Sequence, residues 1–580
     1  MVERRMTCAV SLYERVEKLV DPAPVEDEAE LRAWVRRARE VLPPGRGAEI
    51  EASGVLPANE LAALAADGLS GAFVPQDQGG TLGWSRLTRI CSRLAAHDLD
   101  FTLTLGGAVL GALPVLVAGE AHHRATYFAA LGRGQVGGLG LTEWAHGSDI
   151  LAGEVTAAPI DASGAPASLE RATHFRLDGI KSPINNGTHG ACLVILARTG
   201  AGDEAFAHSL FFLARPMPGL EPHTRFATLG HRAMDLGGAV LRGAIVPRAA
   251  MMGAAGNGFA LSRRAIEISR SGVAAMSLGP MATALSLALD HARTRRLYGA
   301  PIAELGGVRV LLARSFARLV GATALARRAA RTVAKWAVPA RGLSCAAKLV
   351  CPMLLEEIVA DCGTLLGARS LMSDLPFARL RRSAPTLAIF DGSSQLQKDE
   401  LWRHAAAWRA AGTLTKEDAY AVLRTLGENE QRAFDPHGDD QGEVARTSPC
   451  AMLAVLASSA PELELAPIAL LATYVRDAAA RMRGAPQEER FRVSDAAAAI
   501  YTITALAESY ALADDDCARS AIHAALALYL ADTAGSLAAS LVTIAPERSA
   551  DALDVLRASA DTAPRVDAAY RALVELAEPA

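Results

Sequence analysis

Leu31, Trp34, Val35, Ala38 and Leu42 recur at helical spacing until Pro43, Pro44 and Gly45 break the run. A second helical stretch, PANELAALAADG, begins at Pro57 and closes at Gly68. Near residue 133 the period changes. VGGLGLTE, HFRLDGIKSPI, CLVILART, SLFFLARP and GAVLRGAIVP are short apolar runs divided by Gly, Pro, Asp and Asn, the pattern of strands and turns. Ala-rich helical periodicity returns at Phe259 and continues to about 408. These changes predict a mainly α chain with a central β domain. A helical N-terminal domain spans 24–132, a compact antiparallel β domain 133–256 and a C-terminal helical bundle 257–410. An additional helical domain spans 413–580, with a polar linker from Phe434 to Pro449.

The 580 residues are too many for one hydrophobic core, which supports several domains. Phe101–Gly119 is uncharged and about as long as a membrane span, but its glycines, Thr102, Thr104 and Pro114 fit a buried helix better. No membrane span is therefore expected. The formal charge of −4 and the lack of a long basic run disfavour nucleic acid as a partner. Eight scattered cysteines form no CxxC pair and no metal spacing, so reduced buried thiols and no metal are expected. With no apolar leader at the N-terminus, the expected location is the cytoplasm.

GRGQVG (Gly132 to Gly137) has the spacing of a dinucleotide fingerprint, but a helix precedes it and a strand follows, the reverse of what such a site needs. A different series carries more weight: LTEWAHGSD (Leu141 to Asp149), DGIKSPINNG (Asp178 to Gly187), LGHRAM from Leu229, GNGF ending at Phe259, RRLYGAPI (Arg295 to Ile302) and IFDGSSQLQ (Ile389 to Gln397). In order and approximate spacing these resemble the motifs of the acyl-CoA dehydrogenase family over roughly residues 28–408. The helical–β–helical order is also that family's architecture, with a C-terminal four-helix bundle.

The resemblance implies FAD as cofactor and α,β-dehydrogenation of an acyl thioester carried on coenzyme A or on an acyl carrier protein. It also implies an electron acceptor such as an electron-transfer flavoprotein or oxygen, and a homo-oligomer. That chemistry needs a carboxylate on one face of the α carbon as general base, hydrogen-bond donors at the thioester carbonyl and a dry site. By resemblance, Asp391 occupies the position of the catalytic Glu. Leu141, Thr142, Ser148 and Asn185 would border the flavin, and Ser148 and Arg270 the substrate. Ser393 and Gln395 would contact FAD, while Arg295 and Tyr298 would reach the FAD phosphates of a neighbouring subunit. In other branches the base precedes the arginine at position 270. That position here is Ser269, which leaves Asp391 as the candidate.

The chain departs from the family pattern at several points. Pro183 stands where the family has a Trp that covers the flavin, and Asn185 replaces a Thr. Trp144 replaces a Pro and could restore some aromatic surface. Gly306 and the segment TLLGARS (Thr364 to Ser370) lack polar partners for the adenine and pyrophosphate end of FAD, which would weaken flavin binding. Two other readings fit the same residues: a non-catalytic binding or scaffold protein on this fold, and flavin chemistry of the nitroalkane-oxidase type, which uses Asp as base. Intermixed charges such as LADDDCARS disfavour a DNA-binding role for the C-terminal region.

Overall fold

Each change of hydrophobic period coincides with a change of layer. The computed structural model describes residues 2–21, 28–74, 80–200, 207–335, 340–410, 412–425, 448–544 and 563–578. Among these residues seven helices come first: α1 (Val2–Val20), α2 (Glu28–Val41), α3 (Arg46–Ser53), α4 (Ala58–Ala66), α5 (Trp84–His97), α6 (Leu99–Ala118) and α7 (Ala121–Gly132). The apolar run expected to be a buried helix is α6. Asp98 caps it, accepting from the Phe101 N–H at 2.9 Å, which satisfies one of the free donors at a helix start.

Eight strands follow among the described residues: β1 (Gly137–Gly140), β2 (Thr156–Ile160), β3 (His174–Asn185), β4 (Cys192–Arg198), β5 (His208–Ala214), β6 (Leu220–His223), β7 (Leu236–Pro247) and β8 (Met251–Met252). They form one sheet in the order β6-β7-β3-β2-β4-β5-β8, with β1 beside β4. Most pairings are antiparallel, as expected, but β1 and β2 each pair with β4 in parallel, so the sheet is mixed. The parallel β1 enters from α7 and runs beneath α6. Glycines permit this close crossing: a side chain on Gly138 would meet the Asn185 carbonyl oxygen at 2.6 Å, and one on Gly111 would meet the Gly138 nitrogen at 2.9 Å.

Beyond the sheet come α8 (Gly258–Thr294), a two-stranded hairpin of β9 (Arg296–Leu297) and β10 (Ala300–Pro301), then α9 (Gly306–Lys335), α10 (Arg341–Leu366), α11 (Pro376–Ser383) and α12 (Ser394–Ala406). The long α8 is the hub and packs against α10, α5, α9, α6 and α1. Where α1, α5 and α9 meet, a buried ion network joins them. Asp21, just after α1, accepts from Arg89 at 2.6 Å, Arg327 at 3.2 Å and Arg331 at 2.9 Å, while Glu17 pairs with Arg93 at 2.8 Å. Burial alone would raise the Asp21 carboxyl, but Arg89, Arg331 and Arg327 outweigh it and hold it down to about 2.

The remaining helices are α13 (Lys416–Thr425), α14 (Pro449–Ser459), α15 (Ala466–Arg481), α16 (Gln487–Leu512), α17 (Asp516–Ile544) and α18 (Ala563–Ala577). The expected linker from Phe434 lies outside the described residues except for its end, where Pro449 already begins α14. This region covers the bundle: α16 lies on α9 and α12, and α18 on α9. Trp408 donates to the Tyr501 hydroxyl at 2.8 Å, Ser494 to the Lys398 carbonyl at 2.6 Å, and Arg328 pairs with the buried Glu508 at 2.6 Å. Cys91, Cys192, Cys345, Cys351, Cys362 and Cys450 are buried free thiols, and Cys517 is exposed. Among the described residues three helical segments, Leu99–Ala118, Gly258–Thr294 and Asp516–Ser540, are long and apolar enough to cross a membrane; 72%, 89% and 50% of their apolar windows are buried within the fold.

Candidate active site

The turn between α11 and α12 carries the expected base. A short 3-10 helix, Ala384–Ala388, leads into Ile389 and Phe390. Asp391 and Gly392 then both take left-handed backbone angles, with φ of 56° and 88°. Asp tolerates that region better than Glu does, because its short side chain bonds locally. The Gln397 side chain fixes the turn, donating to the carbonyls of Asp391 at 3.3 Å and Gly392 at 3.2 Å. Ser393 caps α12, its hydroxyl accepting from the Leu396 N–H at 3.4 Å. Gln395, assigned by resemblance to FAD, points into solvent on α12, whereas Gln397 is buried.

Three side chains from other elements meet this turn. Ser269 on α8 donates to Asp391 Oδ2 at 2.7 Å. The same hydroxyl is 2.9 Å from the Ile266 carbonyl, so its single proton has two acceptors. Lys348 on α10 is fully buried. Its Nζ donates to the Leu387 carbonyl at 2.8 Å and lies 5.9 Å from the Phe390 ring centre. Arg270, also buried, does not pair with Asp391: its Nη1 donates to Glu400 Oε2 at 2.8 Å, and its Nε has no partner among the described residues. Burial raises the Asp391 carboxyl above the usual range, although Ser269, Lys348 and Arg270 pull the other way. Burial likewise lowers Lys348 to about 8. The outcome is a proton-hungry carboxylate held by a hydroxyl rather than by a cation.

The second half of the site lies where β1 ends. Lys181 Nζ donates to the Leu141 carbonyl at 2.9 Å and to Glu143 Oε1 at 2.7 Å. Glu143 also accepts the backbone N–H groups of Glu154 and Val155, at 2.7 and 3.1 Å. This buried pair pins the strand end, and the Thr142 carbonyl takes the Ser182 N–H at 3.0 Å. The Thr142 side chain is partly open and makes no hydrogen bond within the described residues. Asn185 donates to the Leu103 carbonyl of α6 at 3.3 Å, leaving its Oδ1 buried without a partner. Gly107 on α6 makes room for that amide: a side chain there would meet Asn185 Nδ2 at 2.1 Å. The helix α6 connects the two halves, since a side chain on its Gly106 would meet the Met276 sulfur of α8 at 3.1 Å, about two turns beyond Ser269.

Other expected residues stand apart. Ser148 is exposed on the loop after β1. Trp144 is 79% exposed and stacks on Phe226, the ring centres 5.5 Å apart. Arg295 and Tyr298 are exposed at the far end of α8, Tyr298 to 95%, on the tip of the β9–β10 hairpin. Arg270 and Arg295 are separated along α8 by about 37 Å at 1.5 Å per residue. Sequence reasoning missed Lys348, Glu400 and Gln397, and it treated Ser269 only as a residue unable to act as base. Nothing in their local sequence marks them. Among the described residues no cluster of His, Cys, Asp and Glu could hold a metal ion.

Residues 25–135 match the family described as acyl-CoA dehydrogenase, N-terminal domain, and residues 256–406 match acyl-CoA dehydrogenase, C-terminal domain. An acyl-CoA dehydrogenase of Bacillus subtilis is 28% identical over 387 residues, which is 64% of this chain and 96% of that protein. The crystal structure of an acyl-CoA dehydrogenase complexed with FAD from Bacillus anthracis has a TM-score of 0.73 at 17% identity, over 96% of this chain and 97% of that one. The helices beyond residue 413 therefore belong to a fold seen elsewhere. A prolyl acyl carrier protein oxidase is similar over 65% of this chain and 98% of its own, with a TM-score of 0.59 at 19% identity.

Proposed function

The chain belongs to the acyl-CoA dehydrogenase family, and from that premise we propose that it is an FAD-dependent oxidoreductase that desaturates an acyl thioester between its α and β carbons, with Asp391 as the base. The observation that carries this reading is the environment of Asp391: a carboxylate raised by burial, held by Ser269 and left without a cation partner. A base that must take a weakly acidic proton works best when its pKa is raised toward the working pH. Phe390 beside it is partly buried against Lys348 and favours a dry site, whereas Ile389 is 68% exposed. Ser269 suits both protonation states. It donates to the ionised carboxylate, and when Asp391 is protonated it can turn to the Ile266 carbonyl and accept from Asp391 instead.

The residues present fit a flavin on one specific ground: polar atoms without protein partners border the junction of β1, β3 and α6. They are the Asn185 Oδ1 and the Thr142 hydroxyl, beside the pinned end of β1 at Leu141. These would hold the polar edge of the ring, and Ser393 at the head of α12 would contribute from the other half. FAD supplies the acceptor for the β hydride, while the α proton goes to Asp391. Arg270, fixed by Glu400, keeps a buried Nε without a hydrogen-bond partner among the described residues and would meet the substrate from α8. The exposed Arg295 and Tyr298 would serve the phosphates of a second copy, which makes the working unit a homo-oligomer. The similarity to a prolyl acyl carrier protein oxidase supports a carrier-bound acyl group as well as an acyl-CoA. An electron-transfer flavoprotein or oxygen would then reoxidise the cofactor. The test is to measure bound FAD in the purified protein, then to mix it anaerobically with acyl thioesters on coenzyme A and on phosphopantetheine. Bleaching of the flavin supports the reading; a folded protein that takes up no flavin contradicts it.

A further inference from the structure

Two carboxylates, Glu400 and Asp391, feel one buried guanidinium at this site. Arg270 Nη1 bonds Glu400 Oε2 at 2.8 Å, yet the same guanidinium is close to the base turn: a side chain on Gly392, next to Asp391, would meet Arg270 Nη2 at 3.8 Å. We propose that Glu400 is a positioning residue that claims the Arg270 guanidinium, so that Asp391 is left with a serine partner rather than an arginine and is the carboxylate free to accept a proton. This inference rests on the reading of Asp391 as the base.

The surroundings leave Glu400 as the group that balances Arg270. On α8, Glu267 is already engaged by Arg263 at 3.1 Å and by Arg341 at 2.8 Å. On α10, Cys345 is buried and pushed up to about 12 by burial, so it stays a neutral thiol, and Lys348 adds a positive charge. On α12, His404 is lowered by burial to about 4, despite Glu400, and is neutral above that pH. Arg263 also faces Glu400. Asp391 itself feels Ser269, Lys348 and Arg270, each of which favours its ionised form. A charge-neutral residue at position 400 would leave the buried Arg270 with only Glu267, which Arg263 and Arg341 already engage, and Asp391 to balance it.

The test reads the proton affinity of Asp391 directly. Infrared spectra of the FAD-loaded protein are recorded across pH, and the protonated-carboxyl band that Asp391→Asn removes is titrated. Glu400→Gln is expected to lower the midpoint of that band by about one pH unit, a tenfold loss of proton affinity. The double variant Arg270→Gln/Glu400→Gln, which removes both buried charges, is expected to return it to the parent value or above. A Glu400→Gln midpoint equal to the parent's overturns the proposal. If Glu400→Gln does not fold, the double variant decides alone: a midpoint below the parent's overturns the proposal, and one at or above it supports it. The readout needs no turnover. Failure of Asp391→Asn to change flavin reduction would therefore count against the base assignment, while an unmoved band in Glu400→Gln would count against the role of Glu400.

Discussion

Ser269 Oγ stands 2.7 Å from Asp391 Oδ2 and ties the central helix α8 to the turn that carries Asp391. Because Ser269 favours the ionised carboxylate, its loss raises Asp391 further. Ser269→Ala should therefore move the acidic limb of flavin reduction to higher pH by roughly one unit, the size expected for a hydrogen bond to a charged group that the protonated form partly keeps. The pH profile of stopped-flow reduction checks this. Flavin content should not change, because Ser269 lies on the base side of the site.

Lys348 makes a separate prediction about stability. Burial lowers it to about 8 from an ordinary value of 10.5, so the folded protein binds fewer protons than the unfolded chain between those values. A lowered lysine destabilises the fold fully below pH 8 and relaxes as pH rises toward 10.5. That relief is about 3 kcal/mol, from 1.36 kcal/mol per pKa unit. Relative to the parent, Lys348→Met should lack this rise in stability between pH 8 and 10.5. Denaturant melts of both proteins across that range test it.

At the junction of α1, α5 and α9, Asp21→Asn would leave Arg89, Arg327 and Arg331 buried around a neutral amide. Removing one partner from such a network typically costs 3–5 kcal/mol. Asp21 is lowered, so its stabilising contribution is present above the ordinary carboxylate range and fades as pH falls from about 4 toward 2. The variant should melt at lower temperature at neutral pH and show a weaker dependence of stability on pH in that acidic window. Thermal melts at pH 7 and pH 3 give both numbers.

Gly107→Ala tests the flavin side. The added methyl would collide with Asn185 Nδ2 and break its bond to the Leu103 carbonyl. The amide can swing away, so the fold should survive with a loss on the order of 1–2 kcal/mol, typical of overpacking. FAD affinity should fall about tenfold, measured by flavin titration, if Asn185 holds the ring edge as proposed.

The helical–β–helical order was legible because period 3.6 and period 2 differ over any ten residues. Among the strands of the main sheet, β2, β6 and β8 were not anticipated: TAAPI and LEPH are short and each contains a Pro, which reads as a break, and β8 is only Met251–Met252. The parallel pairing of β1 with β4 depends on where α6 and α7 deliver the chain, which no local pattern records. At the site, motif order located Asp391, Leu141, Thr142 and Asn185. It also named Gln395; that Gln395 is exposed and Gln397 buried depends on how α12 docks, which the motif does not record. Ser269, Lys348 and Glu400 meet Asp391 only after α8, α10 and α12 pack together. A buried Lys or Glu looks like an ordinary surface residue until that packing is known.

The most direct test of the account is anaerobic reduction of the bound flavin by an acyl thioester, compared between the parent and Asp391→Asn at equal FAD occupancy. If Asp391 takes the α proton, the parent's flavin bleaches and the Asn variant's rate falls by a factor of a hundred or more, since a positioned general base contributes about 10²–10⁴-fold. Equal bleaching rates in the two proteins would contradict it.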